Sequence, residues 1–185
     1  VARMREVQPA GPYALAGWSV GGLLAHAMAV ELRRLGQDVS LLALVDAYPA
    51  DRYRDEAPPD ESLALRALLL VAGHDPTAIP GRLTREGVIA FLEAAGHPLG
   101  TLSDESLEAI MRVVTHNSQL VRAHRHEIFD GDVLYFRAAL DHAGTTLSPL
   151  DWRPYVTGAI EVHAVASMHA HLMGPSAVGT IATVL

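Results

Sequence analysis

The sequence predicts an α/β fold: a mostly parallel sheet whose strands alternate with helices, interrupted by a helical insertion. Three observations lead there. A short apolar run, Tyr13 to Ala16, is followed at once by Gly17-Trp18-Ser19-Val20-Gly21 and then by a helix-like stretch to Leu35. A second apolar run, Val39 to Val45, follows that helix, so strand, helix and strand succeed one another as in a right-handed crossover unit. Beyond residue 60 helical patterns come in succession, and strand patterns resume only at Asp132.

Each element has a local reason. Pro9 to Pro12 reads as a turn, and Tyr13-Ala14-Leu15-Ala16 as a short, fully buried strand, too brief for a helix and bounded by glycine on both sides. The helix after Ser19 has Arg33 and Arg34 in its last turn, where they oppose the dipole, and Gly36 as its stop. Val39 to Val45 is apolar almost throughout, as a strand buried on both faces requires. Asp51 to Asp60 turns polar and proline-rich and leaves the sheet. Helices are predicted over Glu61 to Ala72, Thr84 to Ala95 and Ser103 to about Arg125. In the last, Leu107, Ile110, Met111, Val114 and Leu120 fall at helical spacing, with Ser103 and Ser106 as caps. Asp132 to Ala138 and Ala159 to Val165 read as strands, and a closing helix starts at Pro175, a good first helical position. One domain over 1–185, with a helical insertion over 55–127, accounts for this order.

Composition narrows the function. In 185 residues, half of them hydrophobic, there is material for one real core. Fourteen basic against twenty-one acidic residues give a net charge of −7, which repels a phosphate backbone and argues against nucleic-acid binding. There are no cysteines, hence no disulfide, thiolate metal site or cysteine nucleophile; this fits a reducing cytoplasm, the expected location. The uncharged stretch Ala14 to Val30 contains Gly17, Ser19, Gly21, Gly22 and His26, so it reads as a core strand feeding a core helix rather than a membrane span.

G-x-S-x-G between a strand and a helix is the setting of a nucleophilic serine in an α/β-hydrolase. Glycines flank the serine because a Cβ would clash in so tight a turn, and the hydroxyl projects from it. Such a serine needs a base, an acid to orient that base, and donors for the oxyanion. Val20 offers one such donor through its backbone N–H at the helix start. Catalytic groups of open α/β sheets gather at the carboxyl ends of strands, and that rule sorts the ten histidines. His169 lies in the loop after the last strand; His171 is nearby and His163 lies within the strand. His124 and His126 fall on the third predicted helix, where positions two apart do not share a face, so they are not a metal pair. For the acid, Asp46 follows an apolar run that would bury it, where a carboxylate demands a partner such as an imidazole. Asp141, at the end of the next strand, lies among polar residues as a solvated turn aspartate would. Asp46 is preferred, with Asp141 the alternative.

With Ser19, Asp46 and His169 assigned, the chain resembles the type I thioesterase domains that end nonribosomal peptide synthetases. Gly11-Pro12-Tyr13 through Gly17-Trp18-Ser19-Val20-Gly21-Gly22 resembles the family's nucleophile block, Leu44-Val45-Asp46-Ala47-Tyr48-Pro49 its acid block, and His169-Ala170-His171-Leu172-Met173-Gly174-Pro175 its histidine block. Trp152-Arg153-Pro154-Tyr155 with Gly158 is similar to the segment before the last strand. The resemblance implies release of a finished peptide. The chain arrives as a thioester on the phosphopantetheine arm of a carrier domain, moves to Ser19, and leaves by hydrolysis or macrocyclisation; the domain itself needs no cofactor or metal. It also implies that the insertion is a helical lid. In that family strands and an oxyanion loop precede the nucleophile, so the domain is expected to be N-terminally incomplete or completed by another chain. Two other readings are a discrete editing thioesterase or simple esterase that uses Asp141, and a non-catalytic fragment that docks a carrier domain.

Overall fold

The structure, a computed structural model, describes residues 1–55, 60–142 and 144–185. The proline-rich centre of the expected exit segment, residues 56–59, therefore lies outside the described residues. The chain forms two compact units, Val1–Arg54 with His124–Leu185, and Asp55–Ala123.

The first unit is built on four parallel strands in the order β1-β2-β3-β4: β1 (Tyr13–Trp18), β2 (Val39–Val45), β3 (Val133–Ala138) and β4 (Ile160–Val165). Helix α1 (Ala2–Val7) precedes β1, α2 (Val20–Arg34) joins β1 to β2, and α6 (Pro175–Ala182) closes the chain. Strand β2 is central, and Leu42, Ala43, Leu44 and Val45 are all buried. Alternation sends Ala43 and Val45 to one face, with Phe136, Ala138, Val165, Leu172, Ala177 and Ile181, while Leu44 faces Gly22 of α2. The predicted full burial of Tyr13 to Ala16 is not observed. Tyr13 and Leu15 are buried but Ala14 and Ala16 are exposed: alternation sends the two pairs to opposite faces of β1, and only the face of Tyr13 and Leu15 is covered. Helix α2 stops as expected: Gly36 takes φ 69°, and the N–H groups of Gly36 and Gln37 close on the Arg33 and Leu32 carbonyls.

Between β3 and β4 a 3-10 segment, Pro149–Tyr155, carries the fully buried Trp152, whose indole N–H donates to the Ala47 carbonyl at 2.7 Å. His26 of α2 packs beside it, ring centroids 4.8 Å apart, and donates from Nε2 to the Tyr155 carbonyl at 3.0 Å. His124 and His126 are not helical. The helix ends at Ala123, and the two rings meet 4.5 Å apart in the segment that follows. His126 Nε2 accepts the Ala50 N–H at 2.9 Å, so this ring is neutral with its proton on Nδ1.

Among its described residues the second unit has three α-helices: α3 (Glu61–Val71), α4 (Arg85–Ala94) and α5 (Asp104–Ala123). Side chains of Asp60, Thr84 and Ser103 accept the N–H groups of Leu63, Gly87 and Ser106, satisfying one otherwise orphaned donor at each helix start. Leu65, Leu68, Leu69, Val88, Leu92, Leu107 and Met111 form its core. Leu120, on the apolar spacing of α5, lies beyond that core and is exposed. The insertion expected over 55–127 thus corresponds to a unit ending at Ala123, with 124–127 in the first unit. No described helix is long and apolar enough to cross a membrane.

Candidate active site

Ser19 sits between β1 and α2 with φ 54° and ψ −126°, a region that residues with a side chain rarely occupy and that costs about 1–3 kcal/mol. Neighbouring main chain enforces it: Ser19 N–H donates to the Val45 carbonyl at 3.0 Å, and its own carbonyl accepts from Gly22 N–H at 2.9 Å. The crowding expected at both flanking glycines falls differently. A Cβ on Gly17 would stand 2.1 Å from the Gly21 carbonyl oxygen, and one on Gly22 2.3 Å from Ala47 Cβ. A Cβ on Gly21 would meet nothing within 4 Å. Gly17 and Gly22, not Gly21, are the glycines this turn cannot replace. Val20 is the first residue of α2, so its N–H is one of the helix-start donors that lack an intrahelical acceptor.

Asp46 directly follows β2 in a left-handed conformation, φ 46°, which aspartate tolerates better than most side chains. Its N–H donates to the Phe136 carbonyl at 2.7 Å. The carboxylate is 1% exposed and accepts four donors. Oδ2 takes His169 Nδ1–H at 2.7 Å; Oδ1 takes the Tyr48 hydroxyl and the Ala138 N–H, each at 3.1 Å. His142 Nε2 spans both oxygens, at 3.0 Å from Oδ1 and 2.8 Å from Oδ2. Burial alone would raise this carboxyl, but the hydrogen bonds from His169, His142 and Ala138 outweigh it and hold the group below its ordinary value. Tyr48 is pushed up to about 12, chiefly by burial, and so remains a donor.

His169 opens a 3-10 turn after β4. Because a carboxylate only accepts, its Nδ1 carries the hydrogen, and in the neutral ring Nε2 is left as the proton acceptor. The ring lies against Trp18, centroids 5.2 Å apart, which sets it beside the residue preceding Ser19. Asp141 meets the same histidine at another point: its Oδ2 accepts the His169 backbone N–H. His171 is exposed, and His163 pairs with Glu161 on β4 at 2.8 Å.

Ser19, Asp46 and His169 thus all lie at carboxyl ends of parallel strands, and the hydrogen bond between Asp46 and His169 joins two of them directly. His142 and Tyr48 were not singled out from sequence, although both flank strand-end aspartates, which was the available signal. Among the described residues no three histidine or acidic side chains are grouped to hold a metal ion.

Known proteins resemble this chain over its whole length. The family model described as Thioesterase domain matches residues 1–185. A dimodular nonribosomal peptide synthase of Bacillus subtilis (strain 168) is 33% identical over 187 residues, covering all of this chain and 8% of that protein. The chain therefore spans a small part of the curated relatives it matches. A four-domain nonribosomal peptide synthetase, solved with AMP and glycine, superposes with a TM-score of 0.76 at 21% identity, over 99% of this chain and 15% of that one. The RedJ thioesterase of the prodiginine pathway in Streptomyces coelicolor gives 0.63 at 24% identity, over 99% and 65%. Both solved structures bear on the fold alone, which is that of the α/β-hydrolases.

Proposed function

The chain belongs to the thioesterase domain family, and on that premise we propose that it releases a peptidyl or acyl chain from a phosphopantetheine thioester through an ester on Ser19. The observation that carries this reading is the 2.7 Å hydrogen bond from His169 Nδ1 to the buried Asp46 carboxylate, at strand ends beside a serine held in a strained strand-to-helix turn.

Ser19 Oγ attacks the thioester carbonyl as its proton passes to His169 Nε2. Asp46 keeps Nδ1 protonated and stabilises the imidazolium that forms. Val20 N–H donates to the oxyanion, aided by the start of α2. Collapse breaks the C–S bond, and the departing pantetheine sulfur takes the proton from His169. Water, or an amine or hydroxyl within the acyl chain, then attacks the Ser19 ester with His169 again as base; the acyl C–O bond to Ser19 breaks, Ser19 Oγ takes the proton back from His169, and the product is a free acid or a macrocycle. The phosphopantetheine arm belongs to a carrier domain, the proposed partner, in keeping with the multidomain relatives. Asp141 engages the main chain of His169 and not its ring, which favours Asp46 as the acid.

Turnover of acyl- and peptidyl-pantetheine thioesters, with products separated by mass spectrometry, tests the reading. Thioester cleavage that disappears in Ser19→Ala is expected. Cleavage that survives that substitution would refute it.

A further inference from the structure

Asp46 carries two imidazoles, and the proposed mechanism uses only one. His142 Nε2 bridges both carboxylate oxygens at 2.8 and 3.0 Å, so this nitrogen also bears a hydrogen. Its side chain is 10% exposed, and its ring meets Tyr48 edge-on, centroids 5.3 Å apart. Titratable and charged groups surround it, and Arg137 of β3 acts electrostatically on Tyr48 beside it. Asp46 and Tyr48 face it from the end of β2, Asp141 is its neighbour on the β3 side, His169 lies across the carboxylate, and Tyr135 packs behind Tyr48 with 6.1 Å between centroids.

We propose that His142 is a positioning residue for the Asp46–His169 pair. Its Nε2–H, spanning both Asp46 oxygens, fixes the plane of the carboxylate and draws negative charge away from His169, and so sets the pH range in which His169 works as a base. This inference rests on the reading of Ser19, Asp46 and His169 given above. Without His142, Oδ1 keeps Tyr48 and Ala138 but Oδ2 has only His169. More of the carboxylate charge then falls on the His169 ring, which favours its protonated, non-basic form. The sign is the same whether His142 is neutral or charged, since both a ring N–H dipole and an imidazolium compete for the same carboxylate.

The test follows the pH dependence of Ser19 labelling by a fluorophosphonate in the wild-type chain, His142→Phe and His142→Gln. His142→Phe keeps a ring of similar shape without the donor; His142→Gln keeps a neutral N–H. The acidic limb of the labelling rate is expected to move up by about one pH unit in His142→Phe and to return most of the way in His142→Gln. A limb that stays in place in His142→Phe overturns the proposal and leaves His142 as packing. Imidazole nitrogen NMR of the wild-type chain gives a second reading that needs neither a variant nor activity. A hydrogen on His142 Nε2 at neutral pH is expected; an unprotonated Nε2 overturns the proposal. Were wild-type Ser19 not to label, the proposed function would fall while the NMR result still decided the role of His142.

Discussion

Asp141 holds His169 by its main chain, accepting the backbone N–H on Oδ2, while the ring of the same histidine turns to Asp46. Two aspartates at the ends of adjacent strands thus fix one histidine at two points, and only one of them touches the ring. Asp46→Asn would set an amide N–H or a weaker carbonyl acceptor against Nδ1, and kcat/KM on an acyl-pantetheine thioester is expected to fall by about 10³–10⁴-fold. Asp141→Asn keeps an acceptor for the His169 N–H and should cost less than about tenfold. A larger loss in Asp141→Asn than in Asp46→Asn would reverse the assignment.

The strain at Ser19 predicts a stability gain when the side chain is removed altogether. Ser19→Ala keeps a Cβ at φ 54° and should leave the denaturant midpoint nearly unchanged, whereas Ser19→Gly relieves the conformation and should add about 1 kcal/mol. Equal midpoints for the two variants would mean that the turn stores no such strain.

The glycines of the motif should differ sharply. Gly17→Ala and Gly22→Ala drive a Cβ into the Gly21 carbonyl and Ala47 Cβ and are expected to lose about 3 kcal/mol or more, with little folded protein recovered. Gly21→Ala meets open space inside α2 and should melt at or above the wild-type temperature, since alanine favours a helix by about 1 kcal/mol. Circular dichroism melts of the three variants decide this.

The sequence made the parallel sheet and the Ser19, Asp46 and His169 positions readable because each depends on local pattern. An apolar run, a glycine-flanked turn and a strand-end polar residue leave marks within a few residues of one another. The burial of Asp46 was readable because the apolar run Leu42 to Val45 announces it, and a buried carboxylate requires partners. What those partners are was not readable. His142 reaches Asp46 from the turn after β3, nearly a hundred residues along the chain, and only the register of β2 against β3 brings them together. The one-sided burial of β1 is likewise a property of packing: nothing in Tyr13 to Ala16 tells that the face bearing Ala14 and Ala16 is left uncovered. His124 and His126 looked helical because the pattern of α5 carries no stop signal at Ala123.

Buried neutral histidines make the fold acid-sensitive. Burial, then the nearby His26 and His124, lowers His126 from 6.5 to about 3, and burial lowers His26 against the pull of the Tyr155 carbonyl. Both are depressed in the folded state, so between the folded and unfolded values the unfolded chain binds more protons. Stability is therefore present above pH 6.5 and is expected to fall as the pH drops from there towards 3. Denaturant titrations across that range should show a smaller decline in His126→Phe. An unchanged slope would mean that His126 is not buried in its neutral form.

Ser19 is the centre of this account, and its reactivity can be read directly. Incubation of the folded chain with a fluorophosphonate, followed by intact-mass and peptide mapping, is predicted to give one adduct per chain, on Ser19, that no longer forms in His169→Ala. A folded chain that takes no adduct, or takes it on another hydroxyl, would contradict the assignment of Ser19 as a nucleophile activated by His169 and Asp46.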